Sequence, residues 1–111
     1  MPVVSIPTRR IHDWDSFYEV FVELFRFPYG LRGMDGWIDY MSSADSVEDG
    51  MIDPSKIAAP GGVLTLQLDD AADFAARCPE QYAALVECSA FVNWRRIEVG
   101  ERPILALSFN K

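Results

Sequence analysis

Histidine is almost missing from this chain, and cysteine is scarce. Of 111 residues one is histidine, His12, and two are cysteines, Cys78 and Cys88. With His12 beside Asp13 and no G-x-S-x-G elbow, a nucleophile–base triad has no support. The two cysteines lack partner ligands at zinc spacing and do not form a disulfide framework. On helical segments they would stand roughly 15 Å apart along the axis, beyond disulfide reach. Reduced, partly buried thiols in a cytoplasmic protein are expected.

Positive charge is also short. Ten Lys and Arg face seventeen Asp and Glu, a net charge of −7. Nonspecific nucleic-acid binding needs cations to neutralise phosphates, so it is disfavoured, as is an anionic membrane surface. A basic partner is favoured, because complementary potentials speed encounter; plain solubility is the blander use of the same charge. No apolar run approaches membrane-spanning length. The opening VVSIP lacks a basic n-region and reads as a strand, not a signal peptide. No repeat or low-complexity segment is present. Gly61-Gly62 is turn punctuation, since no phosphate-loop pattern follows. The acids from Asp45 to Asp53 lack a calcium-loop pattern. Neither a metal nor a cofactor is expected.

What is there suffices for one core. Half the residues are apolar, and the length fits a single domain spanning residues 1–111. Val3 to Ile6 reads as a buried strand ended by Pro7. Thr8 to His12 is a basic-leaning connection. Asp13 or Asp15 caps a helix whose buried face is Phe17, Val20, Phe21, Leu24 and Phe25, and Phe27-Pro28 stops it. Tyr29 to Gly33 is loop, with Gly33 an acceptable N-cap. A second helix is predicted over roughly Met34 to Ser43. Its Met34, Trp37, Ile38 and Met41 share a core arc. Its Asp35 and Asp39, with Ser42 nearby and Arg32 just before, share a separate outward arc.

Residues 44–60 read as connection, with Asp45, Glu48, Asp49 and Asp53 among breakers Gly50, Pro54 and Pro60. VLTLQL, from Val63, is a second strand. Asp69-Asp70 is positioned to cap a short helix through Arg77. Pro79 and Glu80 suit the first turn of a longer one, with inner face Tyr82, Leu85, Val86, Ser89 and Val92 or Asn93. Gly100 and Pro103 punctuate, and Ile104 to Phe109 is a third strand. Strand, helices, strand, helices, strand predicts an α/β fold with a three-stranded parallel sheet and right-handed crossovers. Helices on one face suffice to cover it; the strand order is open.

Two clusters compete with the second helix for function. Asp69, Asp70 and Asp73 sit at a strand end, where α/β proteins often place ligands, but such acids are more commonly helix caps. Trp94-Arg95-Arg96 is basic and aromatic. In an acidic chain it reads better as arginines holding helix-end carbonyls, or Glu98 and Glu101. Asp35 and Asp39 are different. Like charges at that spacing cost helix stability, yet they follow a loop with an aromatic and two glycines. A solvated helix face is the usual fate of such a pair; presenting negative charge to a cationic pocket is the functional alternative.

The segment F-x-F-P…Y-G…M-D-G-W-I-D-Y-M resembles the core motif of barstar-like proteins, intracellular inhibitors of extracellular ribonucleases. AFVNWRR…G-x-x-P-I-L-A-L-S-F resembles the C-terminal part of one bacterial branch. The resemblance implies a barstar-like fold, no catalysis, and a 1:1 complex with a basic ribonuclease or nuclease toxin. It implies that Asp35 and Asp39 mimic RNA phosphates, that Tyr29 supplies an aromatic contact, and that Gly30 belongs to the binding loop. Glu87 is a candidate for the further acid such inhibitors carry on a later helix. The Pro28 to Asp35 loop is one residue shorter than the family pattern. Gly33 replaces an Asn, Gly36 replaces an Ala, and Arg32 adds a positive charge beside the acids. An immunity or interaction protein on the same scaffold, with a partner that is not a ribonuclease, is the alternative. A small enzyme or ligand-binding domain using Asp69 to Asp73 ranks third.

Overall fold

A computed structural model describes residues 2–46 and 51–110. Three parallel strands form one sheet in the order β1 (Val3–Ile6), β2 (Leu64–Leu68), β3 (Leu105–Phe109). Four helices accompany them: α1 (Trp14–Phe25), α2 (Met34–Met41), α3 (Ala71–Arg77) and α4 (Pro79–Glu98). Short 3-10 turns occupy Thr8–Arg10 and Pro54–Lys56. The register pairs Val4 with Leu66 and Leu66 with Leu107.

Alternation decides the sheet's two faces. Val4, Ile6, Leu64, Leu66, Leu68 and Leu105 are buried. Val3, Ser5 and Ser108, of the opposite parity, are exposed, and Thr65 and Gln67 are half-buried. A strand's side chains point alternately up and down, so one face is core and the other is mixed, with Val3 and Ala106 among Ser5, Thr65, Gln67 and Ser108.

On α1, Phe17, Val20, Phe21 and Phe25 are buried, while Leu24 is only half-buried. Asp13 starts the helix with a capping box, its carboxylate accepting from the Ser16 N–H at 2.8 Å. The helix stops earlier than Phe27-Pro28. Arg26 turns left-handed at φ 55° and closes it. From there a ladder of rings leads to α2. Phe17 meets Phe21 at 4.9 Å between centroids, Phe21 meets Trp37 edge-on at 5.8 Å, and Phe27 lies flat on Tyr40 at 4.0 Å. Each such buried ring contributes about 1.5–3 kcal/mol, so α2 is fastened by its aromatic side.

On α3 the predicted side-chain cap is not made. Asp70 stands at the N-cap position at φ 53° without capping, and its carboxylate takes Arg9 at 2.8 Å instead. On α4 the inner face is Gln81, Leu85, Ser89, Val92 and Arg96. Val86 is exposed, contrary to the sequence expectation, because the helix turns that side away from the sheet. Asn93 joins α4 to β3. Its Oδ1 accepts from the N–H groups of Ile104 and Leu105, and its Nδ2 donates to the Leu105 carbonyl, each at 2.9 Å. Cys78 is buried, Cys88 half-buried, and both are free. Among the described residues, no helix is long and apolar enough to cross a membrane. Of the predicted acidic connection, Glu48, Asp49 and Gly50 lie outside the described residues.

Candidate functional site

Helix α2 starts at Gly33, which is extended at φ −175°, a conformation any residue adopts. Asp35 lies in the first turn, where the positive end of the helix dipole favours a carboxylate. Asp39 follows one turn later on the same side. Trp37 and Met41 are fully buried, and Ile38 and Tyr40 nearly so; Met34 is half-buried. The two aspartates are exposed. The core arc thus grips the helix while the carboxylate arc is offered outward. Tyr40 joins the core beyond the expected arc of Met34, Trp37, Ile38 and Met41. Phe27 covers its ring, and its hydroxyl accepts from the Tyr29 N–H at 3.0 Å.

That bond fixes the preceding loop. Tyr29 is 82 % exposed, its ring free to meet another molecule. Gly30 adopts φ +70°, and a Cβ there would meet nothing within 4 Å. The glycine is needed for its backbone angle, not for space. A Cβ at Gly36 would approach the Leu31 Cδ2 to 3.3 Å, so Leu31 folds over the helix where a larger residue would crowd it. Tyr29, Gly30, Gly36, Asp39, Tyr40 and Met51 line a cleft of about 430 Å³. The structure therefore brings Tyr29, Gly30 and Asp39 to one concavity, with Asp35 exposed one turn back on α2.

Two arginines of α4 act on this region in opposite ways. Arg95 points across to α2, its Nη1 donating to the Asp39 Oδ1 at 3.3 Å. Arg96 points inward and is buried. It grips Asp45 with two nitrogens, at 2.8 and 3.3 Å, and donates to the carbonyls of Ser42 and Arg102 at 2.9 and 2.8 Å. A bidentate, charge-assisted contact of this kind is strong. It holds the end of α2 against α4. The expectation of carbonyl, Glu98 and Glu101 contacts is met only in part: Arg96 takes carbonyls and reaches Glu101 at 3.8 Å, Glu98 makes no ion pair with the described residues, and the Asp45 and Asp39 contacts were not expected. Glu87 is exposed on α4. Its carboxylate and that of Asp35 both raise the pKa of the Cys88 thiol, after burial, the larger cause.

At the far end of the sheet, Arg9, His12, Asp70, Asp73 and Arg77 surround a second cleft. Its acids are occupied. Asp70 holds Arg9 and Asp73 holds Arg77, each at 2.8 Å; Asp69, which lines the neighbouring hollow beside Ser5 and Thr8, accepts from Gln67 at 3.0 Å. Among the described residues, no group of three or more potential metal ligands occurs.

A small parallel α/β protein with an acidic helix face is what the fold and this site define. The chain belongs to the family described as Barstar (barnase inhibitor), whose model matches residues 1–104. The family is one of inhibitors, not catalysts, directed at a ribonuclease. No match was found among curated proteins or among solved structures.

Proposed function

We propose that this protein is an intracellular inhibitor of a secreted ribonuclease or nuclease toxin, and that α2 and its loop plug the enzyme's active site in a 1:1 complex. The observation that carries this reading is the exposed pair Asp35 and Asp39 on a helix gripped from behind by Trp37, Tyr40 and Met41. A nuclease that binds phosphates must offer cations. Carboxylates on a rigid helix meet them with little ordering cost. Tyr29 and Gly30 form the loop side of the same contact. The cytoplasm is the proposed location, where an acidic inhibitor guards the cell's own RNA.

The test is affinity capture with this chain as bait, followed by an RNA-degradation assay of the captured protein with and without added inhibitor. Asp39→Ala is expected to weaken binding by about 3 kcal/mol or more, upward of a hundredfold, as for any desolvated pair losing one partner. Asp35→Ala is expected to cost less, and salt to weaken the complex. Wild-type binding by both variants would refute the phosphate-mimic role.

An immunity or interaction protein with a different partner is the second reading. The observation favouring it is that Arg32 stands exposed just before α2 in the chain while Arg95 already pairs with Asp39. In that case charge reversal at Arg32 would harm binding more than loss of either aspartate.

A further inference from the structure

We propose that Arg95 is an internal competitor for the cation that Asp39 receives, and thereby lowers the affinity of the α2 face for cationic partners. This rests on reading Asp35 and Asp39 as the partner-binding pair. Arg95 and Asp39 lie 56 positions apart in sequence, and only the packing of α4 on α2 brings them together. The contact is a single bond of 3.3 Å, longer than a full charge-assisted bond. Both side chains are open to solvent, 44 % for Arg95 and 73 % for Asp39. An exposed pair of this kind is weak and screened, so a better donor displaces it.

The adjacent Arg96 is buried and locked to Asp45, which holds α4 on α2 and so keeps Arg95 within reach of Asp39. In a chain of net charge −7, the Asp39 carboxylate thus already has a guanidinium group beside it. A stray cation gains little there, because it must replace a charge already in place. A partner delivering guanidinium groups in a fixed array gains more, since bidentate contacts outbid a single long bond. Arg95 thus lowers the affinity of Asp39 for every incoming cation by a common factor, and only a partner with strong contacts of its own stays bound.

A tetra-arginine peptide serves as probe, titrated at low salt and followed by amide NMR of the α2 resonances. Arg95→Gln is expected to bind the peptide about two- to fivefold more tightly, the scale of an exposed ion pair. Arg95→Lys, which keeps the charge, is expected to bind as wild type does. In an Asp39→Asn background the gain from Arg95→Gln is expected to vanish. The proposal is overturned if Arg95→Gln binds no more tightly than wild type or not at all. It is also overturned if the gain survives in the Asp39→Asn background, which would reduce Arg95 to a contributor of net charge. The peptide assay does not depend on any nuclease. A chain that behaves as expected here, yet captures no ribonuclease, would refute the proposed inhibitor role and leave the function of Arg95 standing.

Discussion

The Tyr29 N–H donates to the phenol oxygen of Tyr40 at 3.0 Å, joining the glycine loop to the helix that follows it. Tyr40 is otherwise a core residue, its ring stacked on Phe27. One side chain therefore ties the aromatic core to the candidate binding loop. Tyr40→Phe keeps the stack and removes the bond. The expected cost is about 0.5–1.5 kcal/mol of stability, with faster hydrogen exchange at the Tyr29 amide. Unchanged protection of that amide would show that the loop is held by other means.

Arg96 is expected to be the costliest single replacement among the residues around the site. Arg96→Met removes a buried cation that serves Asp45, Ser42 and Arg102 together. Breaking a buried pair on one side leaves the other partner unpaired, at about 3–5 kcal/mol. Asp45 retains some solvent contact, so the lower end applies. The denaturant midpoint measures it. A loss under about 1 kcal/mol would place this pair with surface ion pairs.

Acid is expected to weaken the fold through two capping carboxylates. Hydrogen bonds from the Ser16 backbone and side chain hold Asp13 below its ordinary pKa of 3.8. Those from the Ser55 backbone and side chain, and then Lys56, do the same for Asp53. A lowered folded-state pKa means that the folded chain binds fewer protons than the unfolded one at the same pH. The stabilisation is thus complete above 3.8 and disappears as pH falls through the lower folded values. Asp13→Asn and Asp53→Asn are each expected to flatten the stability–pH curve in that window. A slope as steep as wild type's in the double variant would exclude both groups.

Cys88 is expected to be a slow thiol. Burial raises its pKa above the ordinary 9.0, and the carboxylates of Glu87 and then Asp35 add to the rise. Alkylation with iodoacetamide at pH 8 is expected to be slower than for an unhindered cysteine, because the thiolate is the reactive form. Asp35→Asn is expected to shift the rate–pH midpoint downward. No shift would mean that Asp35 and Cys88 are electrostatically separate.

Much of this was legible in the chain because it depends on local spacing. Val3–Ile6 announces β1 through β-branched residues before a proline. Phe17, Val20, Phe21 and Phe25 announce α1 through a helical repeat. Asp35 and Asp39 were visible as a pair because a helix places such positions on one side. Val86 and the helix stop at Arg26 were misread because spacing does not say which flank of a helix meets a neighbour, or where a backbone turns left-handed. Tyr40 has an apolar ring and a polar hydroxyl, and only the fold shows one position that satisfies both.

The sequence by itself determined the elements, their order and the acidic face of α2, since these follow from periodicity, capping and breakers within a few residues. Tertiary structure decided the strand order β1-β2-β3, the seat of Tyr40, and the division of labour between adjacent arginines of α4. Arg96 locks the scaffold, while Arg95 reaches Asp39 from 56 positions away. Contacts between such distant residues depend on how helices pack, and side-chain periodicity within one helix carries no record of its neighbour.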